Sequence, residues 1–463
     1  MLRPRLFPAA CLVVLAFALA FAGPAAPAQQ PAPTPPMGWN SWDAYGLTIS
    51  EAQFRANAKV LASLKQYGWQ YAVIDEGWYM EDPFANSVPT RKYVWDQNGI
   101  LIPAVDRFPS AANGQGFKPL ADWVHSLGLK FGIHLVRGIP RQVVDQNLPI
   151  AGTSFHAADA ADRAATCPWD QGNYGVADNA AGQAYYDSMV KLYAAWGVDF
   201  LKVDCISDHP YRPTEIRQIA LAIRKSGRPI VLSLSPGPTQ LSNAAEVGKY
   251  AQMWRITDDH WDGWTFPHPN GGDFPIGTRK AFDYLAQWAP YVKPGNWPDD
   301  DMLPWGYLGP HPGWGQPRHS RETHDEQRTE LTLWAISRSP LILGANLTKL
   351  DPFTRSLVTN QEVLSIDQQA LESQPGLLPP AAKLAQFPQR YWTARTGGPH
   401  PHTYLAVFNL ADAPSTANLP WMVFRLPNKP HAVYDIWNRK RLPPSKTLHV
   451  TLAAHGCALF RLE

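Results

Sequence analysis

AYYDSMVKLYAAWGVDFLKVDC (184–205) decides how the chain is read. Tyr185, Met189, Leu192 and Trp196 recur at helical spacing, Gly197 closes that stretch, and a short apolar run then ends in Asp204 and Cys205. Helix, glycine, buried strand is the unit of a parallel sheet with crossover helices. Working outward, the unit repeats. EAQFRANAKVLASLKQYG (51–68) precedes YAVID (71–75), and GFKPLADWVHSLG (116–128) precedes LKFGIHLV (129–136). EIRQIALAIRKSG (215–227) precedes PIVLSLS (229–235), and TELTLWAISRS (329–339) precedes PLILGA (340–345). MGWNSW (37–42) opens the series, and MWRIT (253–257) reads as a further strand. Seven or eight right-handed units predict an α/β fold, an eight-stranded β/α (TIM) barrel over residues 37–372. A doubly wound sheet is the competing architecture, but no Gly-rich phosphate fingerprint follows any strand.

The tail changes character. After SQPGLLPP (373–380), a Pro/Gly break, come RYWTAR (390–395), TYLAVFNL (403–410), AVYDIW (432–437), LHVTLAA (448–454) and CALFRL (457–462). Short alternating runs separated by turn residues predict a C-terminal antiparallel β-sandwich domain over 381–463. At the other end, Arg3 and Arg5 precede an apolar run and the small-residue site Ala26-Pro27-Ala28. That pattern predicts a signal peptide over 1–28, a linker over 29–36, and a secreted protein, periplasmic or extracellular. A retained anchor is the alternative, although the run is short for a span of about 20 residues. Without the leader, 39 Lys+Arg face 39 Asp+Glu, so no electrostatic footprint for nucleic acid remains. Cys167, Cys205 and Cys457 stay in the mature chain, too few for a disulfide scaffold.

In a β/α barrel the reactive side chains sit where strands end. Strand one ends at Trp42 and Asp43, strand two at Asp75 and Glu76, and strand four at Lys202-Val203-Asp204-Cys205. Strand six ends at Arg255-Ile256-Thr257-Asp258-Asp259. A lone Asp at a strand end is usually a loop cap. Four strand ends delivering acids to one mouth, with two cations and a tryptophan, suit glycoside cleavage, which needs one carboxylate to attack and another to protonate the leaving oxygen. Lys202 shares a strand face with Asp204, and a nearby cation favours the charged form that a nucleophile requires.

PPMGWNSWDAYG (35–46), VIDEGWY (73–79), RFPS (107–110), WGVDFLKVDC (196–205), WRITDDHWDGW (254–264), DMLPWG (301–306) and LTLWAISRSPLILGANL (331–347) together resemble glycoside hydrolase family 27, the family of α-galactosidases and α-N-acetylgalactosaminidases. The resemblance implies a retaining hydrolase with no cofactor and no metal. Asp204 falls at the nucleophile of the K-x-D strand, and Asp259 at the acid/base four residues after the strand-six Arg. It further implies that Trp42 lines the subsite, that Lys202 and Arg255 bind sugar hydroxyls, and that Asp75 and Glu76 hold the distal hydroxyls. Three positions depart from the family. Glu76 replaces the second Asp of an acidic pair, His134 stands where a Tyr is usual, and Ser235 in LSLSPGP (232–238) replaces a Glu. Each touches sugar recognition, so terminal α-galactose is the first expectation, followed by α-N-acetylgalactosamine, β-L-arabinopyranose and α-glucose. The resemblance also implies a disulfide between the loop after strand three and the end of strand four. Cys167 matches the first partner; Cys205 lies one residue nearer the nucleophile than the family's second.

Rival readings are a catalytically silent carbohydrate-binding homologue and a metal-dependent hydrolase on the same barrel. The spacing of His319, His324 and Asp325 in HSRETHDE matches no zinc motif and reads as a surface loop before a helix. The expected partner is a carbohydrate substrate, with no membrane span in the mature chain.

Overall fold

The computed structural model describes residues 31–84, 91–269, 271–377, 389–397, 399 and 401–463. The expected signal peptide and the first two linker residues lie outside them. Among the described residues no helix is long and apolar enough to cross a membrane.

Eight parallel strands build the central sheet: β1 (Met37–Asn40), β2 (Tyr71–Ile74), β3 (Lys130–Val136), β4 (Phe200–Asp204), β5 (Val231–Leu234), β6 (Met253–Arg255), β7 (Trp297–Asp299) and β8 (Leu341–Leu343). They pair in the order β7-β6-β5-β4-β3-β2-β1-β8. The two edges meet just beyond β7, where Leu303 N–H donates to Ile342 O (2.8 Å) and Gly344 N–H donates to Leu303 O (3.1 Å). This is the TIM-type barrel that the helix–Gly–strand repeat predicts.

Side-chain parity separates the two faces. Tyr71, Val73, Phe200, Val231, Met253, Trp297 and Ile342 form the apolar plug inside the barrel. Their strand neighbours Ala72, Ile74, Leu201 and Val203 pack outward in the larger core. Because the strand period is two, the inward parity continues from Val73 to Asp75, from Phe200 to Lys202 and Asp204, from Met253 to Arg255, and from Trp297 to Asp299. An apolar plug below and charge above on one parity is what aims the polar groups at a common mouth.

The helices start and stop on local chemistry. Ser50 and Gln53 form a capping box for the helix Glu51–Leu64. The Asn179 side chain accepts from Gly182 N–H (2.7 Å), starting the helix Ala180–Trp196 a turn before the apolar periodicity becomes visible. That helix ends on Gly197 at φ 94°, where a left-handed backbone favours glycine. One whole unit escapes the apolar pattern: the helix Thr278–Trp288 followed by β7. β7 reads Trp-Pro-Asp and runs into Asp300 and Asp301, too short and polar to register as a buried strand.

The C-terminal strands are β9 (Ala370–Leu377), β10 (Gln389–Thr396), β11 (Thr403–Asn409), β12 (Ser415–Pro420), β13 (His431–Asp435), β14 (Lys440–Ser445), β15 (Thr447–Leu452) and β16 (Cys457–Leu462). A six-stranded antiparallel sheet ordered β9-β10-β11-β16-β13-β14 stands with the pair β12–β15. Leu405, Val407 and Phe460 of the first share a core with Leu419, Leu448 and Val450 of the second, which makes the expected β-sandwich. Its first strand corrects the expected break at 373–380: Ser373 to Leu377 are paired with β10. Pro375 is tolerated because β9 is an edge strand, where no partner needs the missing N–H.

Candidate active site

Trp42, Asp75, Glu76, Lys202, Asp204, Ser235 and Asp259 line one cavity of about 190 Å³ at the C-terminal mouth of the barrel. That is space for roughly six waters, the scale of a single sugar ring. Two further expected residues sit just beneath. His134 is buried, with Nε2 3.4 Å from Asp204 Oδ2 and 4.0 Å from Asp75 Oδ1. Arg255 is buried between two acids, 2.8 Å from Asp301 Oδ1 and 3.2 Å from Asp259 Oδ1. The nine residues expected to break the bond or bind the sugar therefore lie in or directly under one pocket, whereas Asp43, from the end of strand one, is buried and does not line it.

The acids are sorted by their neighbours. Burial opposes ionisation of Asp75, but Lys202, His134 and the Glu76 N–H outweigh it and hold the carboxyl well below the usual range. Lys202 Nζ donates to Asp75 Oδ2 (2.9 Å), and Asn40 Nδ2 donates to the same oxygen (2.6 Å). Lys202 is correspondingly held above its ordinary value by Asp75, Asp301 and Asp204 against the cost of its own burial. Asp259 goes the other way. Enclosure in the mouth pushes it up to about 7; Arg255 opposes, while Asp301, Asp258 and Asp204 add to the rise. A third of its side chain stays open to the cavity (34%), where a reacting group can reach it. Asp258 Oδ1 accepts from Asp259 N–H (2.8 Å) and so fixes the backbone that carries the acid.

Several wall residues carry no signal in the strand-end reading. Asn40 closes β1 but is uncharged, and Asp301 follows the unrecognised β7 at φ 83°, turned toward Arg255 and the His260 N–H (2.8 Å). Arg91, Trp169 and Asp170 come from the loops after β2 and β3 and complete the rim. Arg91 lies 2.9 Å from Asp170 and 3.6 Å from Glu76. Burial, Asp170, Asp204 and Asp75 push Glu76 well above an ordinary carboxyl, with Arg91 opposing.

The Cys167–Cys205 disulfide is present, with Cα atoms 6.0 Å apart. Strict strand alternation would turn Cys205 away, but the residue sits at φ 60°, past the end of β4, where alternation no longer applies. The bond ties the Trp169 loop to the residue following Asp204. Arg137 braces the same junction from below, donating to Cys205 O (2.6 Å) and Thr166 O (3.1 Å) while paired with Glu215 (2.9 Å).

The HSRETHDE segment starts a helix: Thr323 caps His324–Ser337 in a capping box, and His324 stacks on Phe353. Its Glu322, however, joins His260 and Glu330 in a buried trio whose side-chain atoms are close enough to hold an ion. Burial, joined by its neighbour Glu330, holds Glu322 well above its ordinary value; burial also lifts Glu330 to about 7 and holds His260 down. Thr278 and Trp305 donate to the carboxyls of this trio (3.0 and 2.7 Å).

The sugar-sized cavity, with two opposed kinds of carboxyl environment on a β/α barrel, is that of a glycoside hydrolase acting on carbohydrate. Residues 167–369 match the alpha galactosidase A family and residues 386–462 the alpha galactosidase C-terminal beta sandwich domain. A β-L-arabinopyranosidase of family 27 from Geobacillus stearothermophilus is 41% identical, with 93% of this chain and 97% of that chain covered and a TM-score of 0.84. A putative α-N-acetylgalactosaminidase from Bacillus halodurans is 37% identical over 94% and 99% of the two chains, with a TM-score of 0.78. "Alpha-galactosidase A" of Cellvibrio japonicus is 28% identical over 94% of this chain and 93% of the relative. The chain belongs to glycoside hydrolase family 27.

Proposed function

We propose that the protein is a retaining β-L-arabinopyranosidase with α-D-galactosides as weaker substrates, Asp204 being the nucleophile and Asp259 the acid/base. In the first step an Asp204 oxygen bonds to the anomeric carbon as the bond to the aglycone oxygen breaks, and Asp259 gives that oxygen its proton. Water then attacks the anomeric carbon of the glycosyl ester as Asp259 takes a proton from that water, and Asp204 leaves as carboxylate. Asp75 and Lys202 are a preformed ion pair that can bind hydroxyls without reorganising.

Glu76 carries the choice of sugar and reverses the order in which the sequence alone ranks the glycones. β-L-Arabinopyranose and α-D-galactopyranose share their ring configuration from C1 to C4 and differ only in the hydroxymethyl group on C5. Glu76 reaches about one C–C bond, roughly 1.5 Å, further than the Asp usual at this position. It is buried in the cavity wall and steadied by Arg91, so it cannot swing out to admit the larger sugar without breaking that contact. The similarity to the Geobacillus enzyme supports the same reading. Export accompanies it, supported by the leader-like residues 1–28 and by a disulfide that forms in oxidising compartments.

The test is kcat/KM on four p-nitrophenyl glycosides: β-L-arabinopyranoside, α-D-galactoside, α-N-acetylgalactosaminide and α-D-glucoside. The arabinopyranoside is expected to lead, and Glu76→Asp is expected to raise the galactoside-to-arabinopyranoside ratio by about tenfold or more. A wild type that prefers the galactoside, or a ratio unmoved by Glu76→Asp, overturns the assignment. A preference for the acetamido sugar would point instead to the space left by Ser235, which lines the cavity.

A further inference from the structure

A second cavity, of about 460 Å³, adjoins the sugar pocket and shares Arg91 and Trp169 with it. A glycosidase that seats one terminal sugar in a barrel mouth must pass the rest of the substrate out over the rim, and the shared residues put this cavity on that path. Among the described residues its wall contains two arginines and no carboxylate. Arg91 is committed to Asp170 and Glu76. Arg141 is not: its guanidinium stacks 4.8 Å over the Tyr174 ring, its buried Nε has no hydrogen-bond partner, and Asp145 nearby in the chain pairs with Arg163 instead. Trp169 keeps 43% of its surface exposed at the shared rim, an unusual cost for a tryptophan, and the disulfide two residues away holds it in place.

Resting on the glycosidase reading above, the geometry points to a leaving-group subsite for an acidic sugar: a hexuronic acid whose ring lies on Trp169 and whose carboxylate is held by Arg141. A guanidinium grips a carboxylate through two parallel N–H donors, whereas a neutral sugar offers it only single hydroxyl oxygens. The cavity therefore discriminates by charge on the aglycone, independently of which pyranose fills the first pocket.

The experiment compares kcat/KM for the favoured glycone linked to a hexuronic acid and to the methyl ester of that same acid, with an aryl glycoside as reference. The ester keeps the shape and removes the charge. The free acid is expected to be cleaved about tenfold faster than its ester. The ratio should shrink as salt rises from about 0.01 M to about 1 M, and fall to near one in Arg141→Gln. A wild-type ratio near one, or a ratio that survives Arg141→Gln, overturns the subsite while turnover of the aryl glycoside leaves the glycosidase reading standing. No turnover of any glycoside overturns both. The wild-type ratio and its salt dependence decide the matter even if the variant does not fold.

Discussion

Replacing Asp259 by Ala separates acid catalysis from everything else the pocket does. Arg255 holds Asp301 at 2.8 Å and Asp259 at 3.2 Å, so the variant leaves Arg255 with its shorter partner and no orphaned buried cation. The fold should survive, and the loss should fall on chemistry. A positioned general acid contributes about 10²–10⁴-fold, or roughly 3–5 kcal/mol of barrier. That loss is expected in full for a disaccharide, whose sugar leaving group departs badly as an alkoxide, and only in small part for the first step on an activated aryl glycoside. The pH profile supplies the second arm. As the proposed acid Asp259 acts in its protonated form, and with its pKa pushed up to about 7 the wild-type kcat/KM should be halved near pH 7 and fall about tenfold per unit above it. In Asp259→Ala that alkaline limb should vanish. Steady-state kinetics from about pH 4 to pH 9 on both substrates measure all of this. Equal losses on disaccharide and aryl glycoside, or an alkaline limb that persists in the variant, refute the assignment.

Asp204→Ala should reduce turnover of every glycoside by at least about 10⁴-fold, the aryl ones included, and near-normal aryl kinetics would exclude it as nucleophile. In Gly313→Ala the new methyl would collide with the Trp42 indole, so kcat/KM should drop about tenfold or more while the thermal midpoint moves little; unchanged kinetics would show that Trp42 does not shape the site. Cys167→Ser opens a link spanning 38 residues and should cost about 2–4 kcal/mol, read as a lower denaturation midpoint that reducing agent reproduces in the wild type; equal midpoints would remove the structural role of the bond.

What could be read from the amino acids follows from the length and polarity of each strand. β2 to β5 announce themselves because an apolar run follows an amphipathic helix and a glycine, β8 because one follows a helix, and β6 by its short apolar run alone; the ends of β2, β4 and β6 give Asp75, Glu76, Lys202, Asp204 and Arg255 directly. β7 does not, because three residues ending in consecutive acids look like a loop, and with it went Asp299 and Asp301. Arg91 and Trp169 stand on long connections whose course is set by tertiary contacts, the Asp170 ion pair and the disulfide, and no periodicity marks such residues. Only the cysteine offered a lead to Trp169, since a loop tethered beside Asp204 carries whatever follows Cys167 to the rim. The trio His260, Glu322 and Glu330 was hidden for the same reason: His260 lies far from Glu322 in sequence, and barrel closure alone unites them.

The mouth holds many more acids than cations, and that imbalance suits Asp259 to the two roles proposed for it. Lys202 sits 2.9 Å from Asp75 and settles the charge of that one carboxylate. Arg255 is instead shared among Asp301, Asp259, Asp299 and Asp258, so burial prevails at Asp259 and at Asp299, both pushed up to about 7. Asp204 is among the charges that raise Asp259. In the proposed mechanism, when Asp204 becomes the ester of the glycosyl intermediate, that charge disappears, and the repulsion favouring a protonated Asp259 weakens. The group that has just given its proton to the leaving oxygen is then better able to remain a carboxylate until water arrives. Its return to the acid form follows the release of Asp204, which restores the repulsion. As the proposed donor in one half-reaction and acceptor in the next, Asp259 would be switched by the covalent state of its neighbour, with no movement of the barrel required.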